Sequence, residues 1–190
     1  MKRGVSRFGV LVGLVALLGG CAAPQGAHEY HPLYPEYMDA EDLAAAATDI
    51  VVGTVESAEV RRIDISAPSD STDPVENPTY GAGEEAHDAS YVYTVLQLRV
   101  EETYKGSRAP GEVIEVKQLG GTFEGEEYLE EGATALSIDS TYALFLMSFD
   151  NVPASLLNAS QASYIRDANG AFAPVDPRNS IGPEVVRLLS

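Results

Sequence analysis

Tryptophan is absent from this chain of 190 residues, cysteine occurs once, at Cys21, and histidine three times, at His28, His31 and His87. Each shortage removes a class of chemistry. Without tryptophan, a sugar-stacking platform would have to rely on tyrosine or phenylalanine. A single cysteine forms no disulfide within the chain, so stability must come from packing. A Ser-His-Asp triad would have to use one of three histidines, none in a strand context, and no Gly-x-Ser-x-Gly elbow is present. Basic residues are also scarce: 12 Lys and Arg against 29 Asp and Glu leave a formal charge of −17. A body this acidic is repelled by phosphate backbones, which excludes nucleic acid as a partner. The charge suits cationic partners, divalent ions or plain solubility. The apolar run from Phe8 to Leu18 has eleven residues. As a helix it would span about 16 Å, too short for a bilayer core of about 30 Å.

That run has its own meaning. Lys2, Arg3 and Arg7 precede it, and Leu18-Gly19-Gly20-Cys21 closes it. A basic start, a short apolar stretch and small residues before a cut site make a secretory signal. An apolar residue three positions before a unique cysteine resembles the lipobox of bacterial lipoprotein precursors. The resemblance implies cleavage between Gly20 and Cys21 and a diacylglyceryl thioether on Cys21. It also implies location at a cell membrane or outer membrane, facing away from the cytoplasm. Two or more acyl chains make such an anchor stable, at about 0.8 kcal/mol per buried methylene. Loss of residues 1–20 removes three basic and no acidic side chains, so the remainder holds 9 basic and 29 acidic residues, a charge of −20.

The rest of the chain suits one domain, over 38–190. Residues 21–37 have the look of a tether, with three prolines and no periodicity. Its tyrosines, Tyr30, Tyr34 and Tyr37, offer an alternative: docking on the domain surface. A short helix follows, capped by Asp39 and ending near Thr48 or Asp49. Strands are expected at Ile50–Val55, continuing through Val60–Ile65, with Gly53 marking a bulge or a close backbone approach. Residues 66–89, rich in Ser, Asp, Pro, Gly and Glu, form an acidic excursion loop. Tyr91–Tyr104 alternates as a strand, Glu112–Leu119 makes another, and Ala135–Ile138 a short one. Tyr142–Met147 lacks alternation, as for a strand buried on both faces. Asn169-Gly170 turns a hairpin between Ser163–Arg166 and Ala171–Val175, and Pro183–Leu189 makes a short helix.

Four short patterns stand out among these elements: Asp49-Ile50-Val51-Val52-Gly53-Thr54-Val55, Tyr104-Lys105-Gly106, Gly120-Gly121 and Tyr142-Ala143-Leu144-Phe145-Leu146. Over roughly Leu43 to Val175 they resemble a domain of secreted bacterial proteins similar to netrin-like modules and tissue inhibitors of metalloproteinases. The resemblance implies a mainly β fold, an OB-like antiparallel β-barrel with a short N-terminal and a short C-terminal helix. The inhibitors chelate a protease zinc through a free N-terminal cysteine and carry disulfides. Here a lipidated Cys21 on a tether offers neither, so the inhibitory chemistry does not carry over.

Metal sites are weakly specified. His28-Glu29-Tyr30-His31 lacks the zinc-protease spacing and meets Pro32, although a loose divalent contact from His28, His31 and Glu36 is conceivable. Asp167-Ala168-Asn169-Gly170 puts glycine at the fourth position of a would-be calcium loop rather than the sixth, and reads as a turn. The run Glu124, Glu126, Glu127, Glu130 and Glu131 reads as a solvated face. No cofactor, metal or catalytic residue is assigned. The expected function is a lipid-anchored envelope protein, a non-enzymatic binding module for a protein or cationic partner. The alternatives are a carboxylate-dependent hydrolase of envelope polymers and a structural assembly lipoprotein.

Overall fold

A computed structural model of the chain describes residues 27–65 and 90–189. Gly20, Cys21, His87 and the acidic stretch 66–89 lie outside these residues. Among them the fold is mainly β, with ten strands in two sheets and two short helices. None of the described helices is long and apolar enough to cross a membrane.

The first element is β1, His28–Tyr30, inside the segment expected to be a structureless tether. The helix α1, Ala40–Ala46, then starts where Asp39 accepts a 2.8 Å bond from the Asp42 amide. That bond satisfies one of the orphan donors of the first turn. Its last turn is held from outside, because Lys105 Nζ donates to the carbonyls of Ala44 and Ala45 at 2.9 and 3.0 Å. A cation at a helix C-terminus meets the negative end of the helix dipole.

The framework is an antiparallel pair of sixteen-residue strands, β2 (Asp49–Asp64) and β3 (Ser90–Lys105). β2 is one strand where the sequence suggested two segments, and its register shifts three times, once between Val52 and Gly53. Gly53 also permits a close approach: a Cβ there would lie 2.5 Å from the Arg99 carbonyl oxygen. Both readings of this glycine hold. β4 (Val113–Leu119) pairs with β3, and β7 (Thr141–Met147) with the other side of β2. From Tyr142 to Leu146 every residue of β7 is buried, as its continuous apolar run implies. Removing a side chain of this size from a closed core costs about 3–5 kcal/mol.

β8 (Ala154–Leu156) is short but pairs twice, parallel to β4 and antiparallel to β7. Its pairings join the neighbours β2, β3, β4, β8 and β7 in a ring. β9 (Ser163–Arg166) extends the sheet beyond β7, and β10 (Phe172–Pro174) pairs with β9 through the expected hairpin. Asp167 Oδ1 accepts from the amides of Asn169 and Ala171 at 2.8 and 2.9 Å, so its carboxylate serves the turn. The helix α2, Gly182–Leu188, contacts β10 and α1.

One expectation fails. Ala135–Ile138 is a loop, although Leu136 is buried in the core, so an apolar anchor mimicked a strand. The acidic run after Gly120-Gly121 is a solvated face at Glu124, Glu126, Glu127 and Glu131, with Glu130 half-buried. It folds as a hairpin, β5 (Gly121–Phe123) and β6 (Glu126–Glu130), turning at Glu124-Gly125 with φ of 52° and 87°. Consecutive left-handed residues suit a two-residue hairpin turn, and Gly125 supplies one at no steric cost. β1 adds to this hairpin in parallel, with Tyr30 beside Glu130.

Gly106 shows how a motif residue can be structural. Its φ is +97°, and a Cβ would collide with the carboxylate of buried Asp49. That carboxylate pairs with Arg108 Nε at 3.4 Å and accepts from Ser148 Oγ. Gly106→Ala is expected to destabilise the fold by about 3 kcal/mol, adding a displaced buried charge to the left-handed strain. Gly170→Ala, at φ +87° in open space, should cost only about 1 kcal/mol. Urea midpoints of the two variants check the contrast.

Candidate functional site

The strands leave one concave face with chemical character. β3 presents Tyr91 and Tyr93 on the side opposite its main core residues Leu96 and Leu98, and β4 presents Lys117 and Leu119 beside them. The segment from β1 to Tyr34 crosses this face, and β6 brings Glu130 to it. Together they line a groove of about 500 Å³, with Leu156 and Ala159 closing one side. This size suits a small-molecule or side-chain ligand.

The crossing segment is held at several points. β1 pairs with β6. His28 stacks on Tyr128 at 4.6 Å, and its Nε2 meets Glu126 at 3.1 Å. His31 Nδ1 meets Glu131 at 2.7 Å. The Tyr37 amide donates to Gln161 Oε1, and Gln161 Nε2 returns a bond to the Tyr37 carbonyl, both at 3.0 Å. The alternative docking of the tyrosines is therefore the one seen. The histidines find their carboxylates on the acidic hairpin, not at Glu36. Among the described residues no group of three His, Cys, Asp or Glu side chains is arranged to hold a metal.

Tyr30 and Tyr91 meet edge to face, with centroids 5.6 Å apart and planes at 67°. Tyr93 is buried, and burial pushes its phenol up to about 12. Tyr34 is raised as well, by burial first and by the adjacent Glu130 carboxyl second. Charged side chains line the groove as well, Glu29, Lys117 and Glu130, and burial shifts two of them. Lys117 is 7% exposed, and desolvation lowers its ammonium from the ordinary lysine range. Its Nζ donates to the Pro153 carbonyl at 2.8 Å and lies 4.7 Å from the Phe149 ring and 5.8 Å from that of Tyr93. Phe149 belongs to a neighbouring cavity of about 630 Å³, which shares Ile65, Tyr93, Lys117 and Ser155 with the groove.

Glu130 is the other. Burial raises its carboxyl, and the bond with Tyr34 offsets this only in part. Its Oε1 is buried with no hydrogen-bond partner among the described residues. A buried acceptor left unmet is costly and calls for an explanation.

No protein family, no curated protein and no solved structure matches this chain. The groove must therefore be judged by its own residues. Its walls are aromatic and tolerate an apolar or cationic guest. Polar side chains, among them Glu29, His31, Lys117, Gln118 and Glu130, share the lining with these rings and could orient a ligand.

Neither Lys117 nor Glu130 stands out in the sequence as a site residue. Lys117 occupies an ordinary polar position of an alternating strand, and Glu130 hides in a run of five glutamates between residues 124 and 131. One signal was available: Tyr91, Tyr93 and Val95 are apolar on the face opposite Val92, Leu96 and Leu98, which implies that both faces of β3 are covered.

The raised Glu130 carboxyl has a consequence for stability. Above its ordinary value of 4.5, the folded state binds more protons than the unfolded chain, so this group's contribution falls as pH rises through the folded value. Glu130→Gln removes the ionisable group while keeping its shape. The stability gained by Glu130→Gln over the wild type should therefore be larger at pH 7 than at pH 4.5, measured by urea unfolding at both. A pH-independent difference would contradict the burial argument.

Proposed function

We propose that this chain is a lipid-anchored protein of the bacterial cell envelope whose β domain is a non-enzymatic binding module. The observation that carries the reading is the tyrosine-walled groove, which holds a carboxyl oxygen buried without a partner among the described residues, and a buried ammonium. Such a site is made to receive a ligand rather than to complete the core. The leader pattern through Leu18-Gly19-Gly20-Cys21 supports a diacylglyceryl anchor on Cys21 and a place outside the cytoplasm. The envelope would then supply the partner, and the acidic surface favours a cationic one.

We also propose that the ring of β2, β3, β4, β8 and β7 is a barrel of OB type. Five strands joined in a cycle, with β8 bonded to both β4 and β7, support that assignment. A hydrolase would need paired carboxyls flanking a scissile bond. The groove lining carries Glu29 and Glu130, with Glu130 set among phenol rings, which suits recognition.

Two measurements test the proposal. Mass spectrometry of the mature N-terminus from a membrane fraction should find Cys21 first and lipid-modified. An unmodified Cys21 thiol in secreted protein would sink the anchor. For the groove, ligand-observed NMR with a library of small aromatic, cationic and anionic compounds should find binders to the full chain. Ala159→Trp, which fills the groove from its rim, should abolish that binding while circular dichroism stays unchanged. Binders that ignore the added indole would place the site elsewhere.

A further inference from the structure

We propose that the groove recognises an organic ammonium group, primary or methylated, on a small molecule. The aromatic rings would pack around the cation, and Glu130 Oε1 would supply the counter-charge. This rests on the reading of the groove as the binding face and names its ligand class.

Four observations lead there. Tyr30 and Tyr91 stand as adjacent walls with planes at 67°, so two rings bound one corner of the hollow. The negative π-faces of such rings attract a cation, most strongly once it leaves water. Tyr93 already carries an ammonium near its ring, that of Lys117 at 5.8 Å, so the aromatic surface of this groove tolerates a positive charge. Glu130 Oε1 is buried and lacks a donor among the described residues. Closed to solvent, it would serve an ammonium group as a counter-charge behind the rings rather than through a direct bond. Finally, Glu29 lies on the same lining, and the whole chain is strongly acidic, so the long-range field draws cations inward.

Lys117 is the opposing charge. Its ammonium donates to the Pro153 carbonyl and lies nearer the Phe149 ring than the Tyr93 ring. It therefore limits the depth a cationic guest can reach rather than closing the site. Burial raises the Glu130 carboxyl in the empty groove, and a cation beside it would lower it again.

The test is isothermal titration of the full chain, in detergent, with choline chloride. The uncharged isostere 3,3-dimethylbutan-1-ol serves as the matched ligand, and potassium chloride of equal ionic strength as the blank. Choline should bind about tenfold more tightly than the isostere. Glu130→Gln should erase most of that preference, and Tyr91→Leu should weaken choline several-fold. Equal affinity for choline and its isostere would overturn the ammonium proposal while leaving the groove a binding site. No choline binding, alongside library compounds that Ala159→Trp displaces, would overturn it in the same way. No binding of choline or of any library compound would overturn both.

Discussion

The ladder between β2 and β3 runs from Ile50 beside Lys105 to Asp64 beside Ser90, and the other elements take their places from it. Its lower half is wholly apolar on the core side: Val51, Val52, Val55, Leu96, Leu98 and Val100 are closed to solvent. β7 pairs along that half, β4 pairs with β3 from Tyr93 to Arg99, and α1 contacts β7. Its upper half projects past the core, and β2 becomes exposed there from Glu56 onward. Strands of this length cannot stay flat, and the register shifts add twist where a straight ladder would resist it. The coiled pair carries one hydrophobic core at its base and offers a second face above, where Tyr91 and Tyr93 emerge.

The motif residues serve the joints of this frame. Asp49 sits where α1 hands over to β2, and Gly106 leaves room for its carboxylate as β3 ends. Lys105, one residue earlier, ties the same strand end to the last carbonyls of α1. Gly120 lets β4 pass directly under Tyr128, where a Cβ would stand 2.6 Å from that residue's carbonyl oxygen. The patterns thus encode corners and close approaches. They say much about architecture and little about ligands, because the groove residues are not among them.

Much of the frame was legible for a physical reason. Asp39 before an alanine-rich run, the alternation of Tyr91–Tyr104, the unbroken apolar stretch of β7 and Asn169-Gly170 are local signals, and local signals specify local structure. β1, β5, β6 and β8 are not local. β1 has three residues and exists because β6, about a hundred positions later, pairs with it. β8 likewise depends on β4 and β7. Ala135–Ile138 misled because a loop can bury one leucine as a strand would. The groove was the least legible part. Its lining comes from β1, β3, β4, β6 and the chain around Leu156, and only tertiary structure brings a lysine, a glutamate and four tyrosines to one surface.

The docking of β1 also changes what a lipid on Cys21 would mean. Freed from the domain, the segment from Cys21 to Tyr37 would let it wander some 55 Å from the bilayer. With His28 fixed beside Tyr128, seven residue steps are left, about 25 Å when fully drawn out. The strap that walls the groove is then also the mooring line. A domain moored this way would stay close to the bilayer, at a distance set by a three-residue strand.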